Sequence, residues 1–336
     1  MNWWNEAWLV GGPKELTWAT SGYVGRGPEQ AMANLADTGA GWVAIIPKWW
    51  QDDVASTQIH PLDPPVPTDE EIVQAIRHAH DLGLRVMLKP HLGFVHDPEH
   101  WHGEIGTAWN DDPAAWDRWF ASFRRFIIHF ADIAEAEEVE QSSVGCELQG
   151  ATRKAERWRE IVRDVRDHFS GTLVYSANWG GEETGLPWWD AVDLIGVDAY
   201  YPLTEGNDPT LGELKAAWTP YVEQLAELSA AWGDKPIVFT EIGYRSVDGA
   251  NRLPADMELR GLPDLQEQAD CYRAALESVW GQPWFAGMYW WDWSSSLVVG
   301  GPADTSFTAY RKPAEGVIRS WYRSNPGPSG NTELAG

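Results

Sequence analysis

The chain has 336 residues, with 25 Lys or Arg against 50 Asp or Glu, a formal net charge of −25. That length fits one large domain or two small ones and is ample for a buried core. The charge argues against nucleic acid and anionic membrane as partners, since both are bound by clustered cations. No window of about 18 apolar residues offers a membrane-spanning helix.

The first ten residues carry neither a basic stretch nor a long apolar run, so no secretory signal is visible. Two cysteines, Cys146 and Cys271, cannot build a disulfide framework. Both features fit a soluble cytoplasmic protein, although a leader already removed would leave the same sequence. The chain also holds 23 tryptophans. Each is bulky and needs a partner for its N–H, and a large core must account for about half of them. The others suit a cleft that presents flat rings to the C–H faces of sugars, with acids and amides for the hydroxyls.

In chain order, residues 14–18 read as a weak first strand and 28–38 as a helix ended by Gly39. Residues 41–47 form an apolar, branched run typical of a buried parallel strand. Thr68-Asp69-Glu70-Glu71 is a capping box opening a helix that stops at Gly83. Strand 84–89, helix 114–138, strand 142–148, helix 154–169 and strand 172–178 follow. A short helix 187–191 leads to strand 193–200, helix 211–232, strand 236–242, helix 264–280, strand 285–291 and helix 312–322. Residues 324–336, rich in Pro, Gly, Ser and Asn, are expected to be a disordered tail to a single domain 1–323.

Eight strands alternating with helices predict parallel βαβ units, and in this length a (β/α)8 TIM barrel, typically about 250 residues plus insertions. A doubly wound sheet would advertise a Gly-rich phosphate turn, and Gly22, Gly25 and Gly27 do not have that spacing.

Barrel active sites lie at the C-terminal strand ends. Those ends read Lys48-Trp49-Trp50, Lys89-Pro90-His91, Gly145-Cys146-Glu147, Asn178-Trp179, Asp198-Ala199-Tyr200-Tyr201, Thr240-Glu241 and Tyr289-Trp290-Trp291-Asp292-Trp293. Glu147 and Glu241 close apolar runs on the fourth and seventh strands. Two carboxyl groups flanking one bond are what glycoside hydrolysis requires. The plainer alternative is a pair of barrel-mouth salt bridges.

Other signals point elsewhere or nowhere. His96-Asp97-Pro98-Glu99-His100 matches a zinc-peptidase pattern, but Pro98 interrupts the helix that this chemistry needs. The segment reads instead as a loop over strand three that brings Trp101 near a sugar cleft. No Gly-x-Ser-x-Gly elbow is present. Cys146 reads as a small mouth residue rather than a nucleophile. Asp198 is open between a ligand contact and a buried partner for a cation such as Lys89. The acid runs at 135–140 and 52–53 read as solvated faces.

The segments Ile46-Pro47-Lys48-Trp49-Trp50, Pro67-Thr68-Asp69, Leu88-Lys89-Pro90-His91, Tyr175-Ser176-Ala177-Asn178-Trp179, Ile195-Gly196-Val197-Asp198-Ala199-Tyr200 and Phe239-Thr240-Glu241-Ile242-Gly243-Tyr244-Arg245-Ser246 stand in order along most of the barrel. With them the chain resembles glycoside hydrolase family 113, the β-mannanase family, in the clan of retaining TIM-barrel β-glycosidases. The resemblance implies Glu147 as acid/base and Glu241 as nucleophile. It implies Tyr200 as a donor to Glu241, and Trp291 as the platform under the sugar, with Trp290 as the register alternative. It places Lys89, His91 and Asn178 on sugar hydroxyls, with Asp198 and Trp49 also counted among the substrate contacts. It implies no metal and no organic cofactor.

One residue departs from the clan. Asn usually precedes the acid/base and holds the sugar 2-hydroxyl; here Cys146 stands in its place. The roles also set expectations for ionisation. A Tyr hydroxyl and nearby cations should lower the pKa of a nucleophilic carboxylate, and negative charge or apolar walls should keep the acid protonated. The expected substrate is a β-1,4-linked mannan or short manno-oligosaccharide. The alternatives are a glucoside or galactoside, or a non-catalytic sugar-binding barrel, which would have no need of the Glu pair.

Overall fold

In the computed structural model, which describes residues 1–4, 25–62 and 67–325, the strands are β1 (Asn2–Trp4), β2 (Trp42–Ile45), β3 (Lys48–Gln51), β4 (Ile59–His60), β5 (Arg85–Leu88), β6 (His91–Phe94), β7 (Gln141–Cys146), β8 (Thr172–Asn178), β9 (Leu194–Asp198), β10 (Ile237–Ile242), β11 (Phe285–Trp290) and β12 (Trp293–Ser294). The α-helices are α1 (Arg26–Ala36), α2 (Asp69–Asp81), α3 (Pro113–Ala136), α4 (Gln149–Thr152), α5 (Ala155–His168), α6 (Glu182–Gly185), α7 (Leu211–Ala231), α8 (Leu265–Val279) and α9 (Pro313–Ser324).

One sheet runs β11-β10-β9-β8-β7-β5-β2-β1-β12, and all its pairs are parallel. Its two end strands are consecutive in the chain, separated only by Trp291 and Asp292, so the sheet closes into a TIM barrel with a broken eighth strand. The expected strand at 14–18 lies outside the described residues. The first barrel position is taken by β1, which pairs Asn2 with Ala44 and Trp3 with Trp293.

Leu84–Lys89 and the later expected strands coincide with barrel strands to within two or three residues. Lys48-Trp49-Trp50 does not continue strand two inside the barrel. It belongs to a separate small sheet, β4-β3-β6, in which Lys48 pairs with His91. Prolines explain the break. Pro47 and Pro90 have no N–H to give the ladder, so both chains leave the barrel there and pair again just beyond it.

The lower barrel interior is a packed layer of Ala44, Met87, Val174, Val238 and Tyr289. The Tyr289 hydroxyl donates to Gln141 Oε1 at 3.0 Å. Above them Asn2 Nδ2 donates to the carbonyls of Thr240 and Tyr289, pinning β1 across the barrel. The outer face packs under amphipathic helices started by local caps. Thr68 and Glu71 make the reciprocal capping box of α2, Thr210 and Glu213 that of α7, and Asp264 caps α8. Seven tryptophans, Trp119, Trp158, Trp188, Trp189, Trp218, Trp290 and Trp293, are fully buried in this packing, so much of the tryptophan content is core. Among the described residues no helix is long and apolar enough to cross a membrane.

Candidate active site

A cavity of about 780 Å³ opens at the C-terminal ends of the barrel strands. Glu241 and Tyr200 form part of its floor, at the ends of β10 and β9. Glu147 follows β7 and Asn178 ends β8. Trp291 sits in the break between β11 and β12, and His91 begins β6. Trp101 and His102, Trp179 and Gly180, and Ala255 and Met257 reach in from three loops, with Ile46 and Lys48 on the remaining side.

Glu241 is held from both sides. Tyr200 O–H donates to Oε2 at 2.6 Å, and the Lys89 ammonium donates to Oε1 at 2.5 Å. Lys89 also reaches Asp198 Oδ1 at 3.2 Å, and Thr240 Oγ1 donates to the same oxygen at 2.6 Å. Lys89 and Asp198 are fully buried. They lie beneath Glu241 and do not line the cavity, which corrects the expected place of Lys89 on sugar hydroxyls and, of the two alternatives for Asp198, gives the buried partner of Lys89. A cation this deep needs an anion beside it, and Asp198 supplies one.

The ionisation of Glu241 also departs from expectation. Burial, followed by the charge of Asp198, pushes its carboxyl up to about 7, against the downward pull of Lys89 and Tyr200. Asp198 is raised to about 6 by burial, with Lys89 opposing. The nearby cations moderate the desolvation of these carboxyls and do not overcome it. His91 is driven well below its usual range by burial and then by Lys89, so its ring is neutral. Burial pushes the Cys146 thiol well up, and the S–H donates to Asp198 Oδ2 at 3.3 Å.

Glu147 adopts the left-handed region, with φ of 51°, uncommon for a residue with a side chain. Its N–H donates to the Ser176 carbonyl at 2.8 Å. His102 Nε2 lies 3.3 Å from Glu147 Oε2, and His91 Nε2 lies 3.6 Å from Glu241 Oε1. Both ring nitrogens are buried and face these carboxylates without an aligned hydrogen bond among the described residues.

Trp291 lines the cavity beside His91, with ring planes 9° apart and centroids 6.2 Å apart. Trp290 points to the outside of the barrel and stacks on Tyr272 at 3.9 Å, which settles the register between the two. Gly243 makes room for this arrangement: a Cβ there would stand 2.2 Å from the Trp291 carbonyl. Asn178 is at the rim. Trp49, expected at the sugar, faces α3 instead, packing on Phe126, His129 and Phe130. Strand alternation in β3 sends Lys48 to the cavity and Trp49 away from it.

Acids, imidazoles and indoles thus ring one cavity at the strand ends. The family model described as Glycoside Hydrolase Family 113 matches residues 16–312. The chain belongs to glycoside hydrolase family 113. It is therefore a glycoside hydrolase. Among solved structures similar to it is a family 113 β-1,4-mannanase, 30% identical, covering 88% of this chain and 93% of that one, with a TM-score of 0.79. Another is the family 113 β-mannanase AaManA from Alicyclobacillus acidocaldarius in complex with ManMIm, 29% identical, covering 96% of both chains, with a TM-score of 0.81. A β-glucuronidase from Ruminococcus gnavus, 14% identical, shares the fold with a TM-score of 0.58; this chain spans 46% of its length. No curated protein matches the chain.

Several residues of this family 113 cavity carried no signal of their own in the sequence. His102, Met257 and Ala255 arrive on loops, whose course strand and helix patterns do not specify. The loop with Ala255 and Met257 hangs from Glu267 of α8. That carboxylate accepts from the N–H of Gly249 at 3.0 Å, the N–H of Asn251 at 2.8 Å and Asn251 Nδ2 at 3.0 Å. The His-rich segment is a loop, as expected, tied by Asp97 to His100 at 2.8 Å and to the Val54 N–H at 3.0 Å.

Among the described residues two sets of donor atoms could hold a metal ion: His91, Cys146 and Glu241, and His102, Cys146 and Glu147, each within 4.8 Å of one another. Both draw on the cavity's own carboxylates. In the first, the Lys89 ammonium already supplies a cation at 2.5 Å from Glu241.

Proposed function

We propose that this chain is a retaining β-glycosidase acting on β-1,4-linked mannosides, with Glu241 as nucleophile and Glu147 as acid/base. The observation that carries the assignment is the asymmetry of the two carboxylates. Glu241 is fixed on the cavity floor by Tyr200 and Lys89. Glu147 stands on the wall beside His102, without such a clamp among the described residues. A nucleophile must be held at one carbon, whereas an acid/base must exchange a proton with two different oxygens.

In the first step Glu147 gives its proton to the glycosidic oxygen, the bond from that oxygen to C1 breaks, and a Glu241 oxygen bonds C1. Lys89 and Tyr200 hold the carboxylate charged and aimed until then. In the second step Glu147 takes a proton from water, the water oxygen bonds C1, and Glu241 leaves as carboxylate. Trp291 offers a flat face to the ring as it flattens toward the oxocarbenium-like transition state.

Mannoside over glucoside is supported by the family 113 β-mannanases similar to this chain. The two sugars differ at C2, where Cys146 replaces the usual amide. Its thiol is engaged by Asp198, so contact with the 2-hydroxyl falls to other residues that line the cavity, His91 and His102 among them. Proton NMR of the first-formed sugar from an aryl β-mannoside tests the mechanism. A β-configured initial product is expected; an α-configured one would remove Glu241 as nucleophile.

A further inference from the structure

Glu182 takes no part in the chemistry above, yet it is 4% exposed and lies directly behind the wall that carries Glu147. It opens the short helix α6, just after the β8 loop. Its carboxylate is a hub for three donors. Tyr175 O–H donates to Oε1 at 2.7 Å, the Asn178 N–H donates to Oε2 at 2.7 Å, and Thr152 Oγ1 lies 3.3 Å from Oε1. The Tyr175 oxygen in turn accepts the Leu148 N–H at 2.8 Å. The chain of contacts runs from Glu182 through Tyr175 to the peptide that joins Glu147 to Leu148.

That peptide needs an external hold. Glu147 sits at a positive φ, a conformation a side-chain-bearing residue keeps only when its surroundings enforce it. The Glu147 N–H is bonded to Ser176 and the next N–H, of Leu148, to Tyr175, so both sides of the residue are pinned to β8. Tyr175 is itself fixed, packed between Trp158 at 5.4 Å and Trp188 at 5.0 Å. Gly145 leaves space for its ring; a Cβ there would lie 2.9 Å from Tyr175 Cε2.

We propose that Glu182 is a positioning residue for the acid/base: acting through Tyr175 it holds the backbone of Glu147 in its left-handed turn, and through the Asn178 N–H and Thr152 Oγ1 it ties the end of β8 to α4, the short helix after β7. Burial pushes the Glu182 carboxyl up to about 8, opposed by its hydrogen bonds to Tyr175, Asn178 and Thr152. The inference rests on the assignment of Glu147 as acid/base.

The test compares Glu182→Ala, Glu182→Gln and Tyr175→Phe on two substrates, a manno-oligosaccharide and dinitrophenyl β-mannoside, with melting temperature measured in parallel. The oligosaccharide has a poor leaving group and needs the acid in the first step; the dinitrophenyl glycoside does not. Misplacing a catalytic group by about 1 Å costs about 10²-fold. Glu182→Ala and Tyr175→Phe are expected to lower kcat on the oligosaccharide by about 10²-fold. The pre-steady-state dinitrophenolate burst should stay within about threefold of wild type. Glu182→Gln, whose single amide oxygen can accept from the Tyr175 O–H or the Asn178 N–H but not from both, should recover only part of the loss.

Equal losses on both substrates, or no loss in folded Tyr175→Phe, would overturn the proposal. If Glu182→Ala does not fold, Tyr175→Phe decides alone, because it keeps the packed ring and removes only the relay. A wild-type enzyme inactive on both substrates would instead refute the proposed function.

Discussion

Replacing Tyr200 by Phe removes one hydrogen bond and leaves the ring in place against Phe307, at 6.3 Å. The lost bond is the 2.6 Å donation to Glu241 Oε2. A hydrogen bond to a charged group contributes about 1.5–3 kcal/mol, and one pKa unit is about 1.36 kcal/mol. Tyr200 donates to the ionised form, so its removal favours the protonated form and raises the Glu241 pKa by about 1–2 units. Glu241 starts at about 7. The nucleophile must be ionised, so wild-type kcat/KM should rise with pH through about 7. In Tyr200→Phe that rise should move to about 8–9. At pH 6 both enzymes are mostly protonated, and the variant should be slower by about 10- to 100-fold. The two should converge at pH 9.5, apart from any bond Tyr200 makes in the transition state. The assay is kcat/KM on dinitrophenyl β-mannoside from pH 5 to 9.5, which follows the free enzyme. An unmoved limb, or one displaced to lower pH, would show that Tyr200 does not stabilise the carboxylate that attacks.

Glu147→Ala should retain the first step on dinitrophenyl β-mannoside, and azide should restore turnover by giving a β-mannosyl azide; Glu241→Ala should do neither, and an azide-rescued α-azide from Glu241→Ala with an inert Glu147→Ala would exchange the roles. Trp291→Ala should lower kcat/KM by at least about tenfold, about 1.4 kcal/mol, with the fold intact. A melting temperature that collapses together with activity would make Trp291 a packing residue. Activity should survive exhaustive dialysis against EDTA. A loss restored by zinc would bring the donor sets around Cys146 into the mechanism.

The barrel was legible because buried parallel strands are continuous apolar runs and their helices are capped by short local signals, as at Thr68 and Glu71. Strand β1 was not, since three residues carry no periodicity and Asn2 reads as polar. The cavity's Glu147, Glu241 and Trp291 could be placed because position at a strand end is itself spatial information. Strand-end position alone misplaces Lys89 and leaves Asp198 open between two readings, for the same reason. Both stand at strand ends, but one residue of pleat decides whether such a side chain enters the cavity or is covered by its neighbour. Trp49 was lost to the break at Pro47, which shifted it out of the barrel's alternation. Glu182 follows two glycines in a loop, and nothing local marks it as a hub, since its partners lie on β8 and in α4.

The loop that carries Ala255 and Met257 is anchored at its base by Glu267, which accepts three donors from Gly249 and Asn251. Beyond that anchor Leu253, Met257 and Leu262 are exposed. In evolutionary terms, anchor and tip are separable. Insertions or exchanges in the tip alter what the cavity meets at its entrance without disturbing the barrel. Loss of the Glu267 carboxylate would loosen the base of that wall, where the Gly249 and Asn251 N–H groups would lose their acceptor. Lineages that keep this chemistry while changing their oligosaccharide are therefore expected to vary the tip and to hold Glu267.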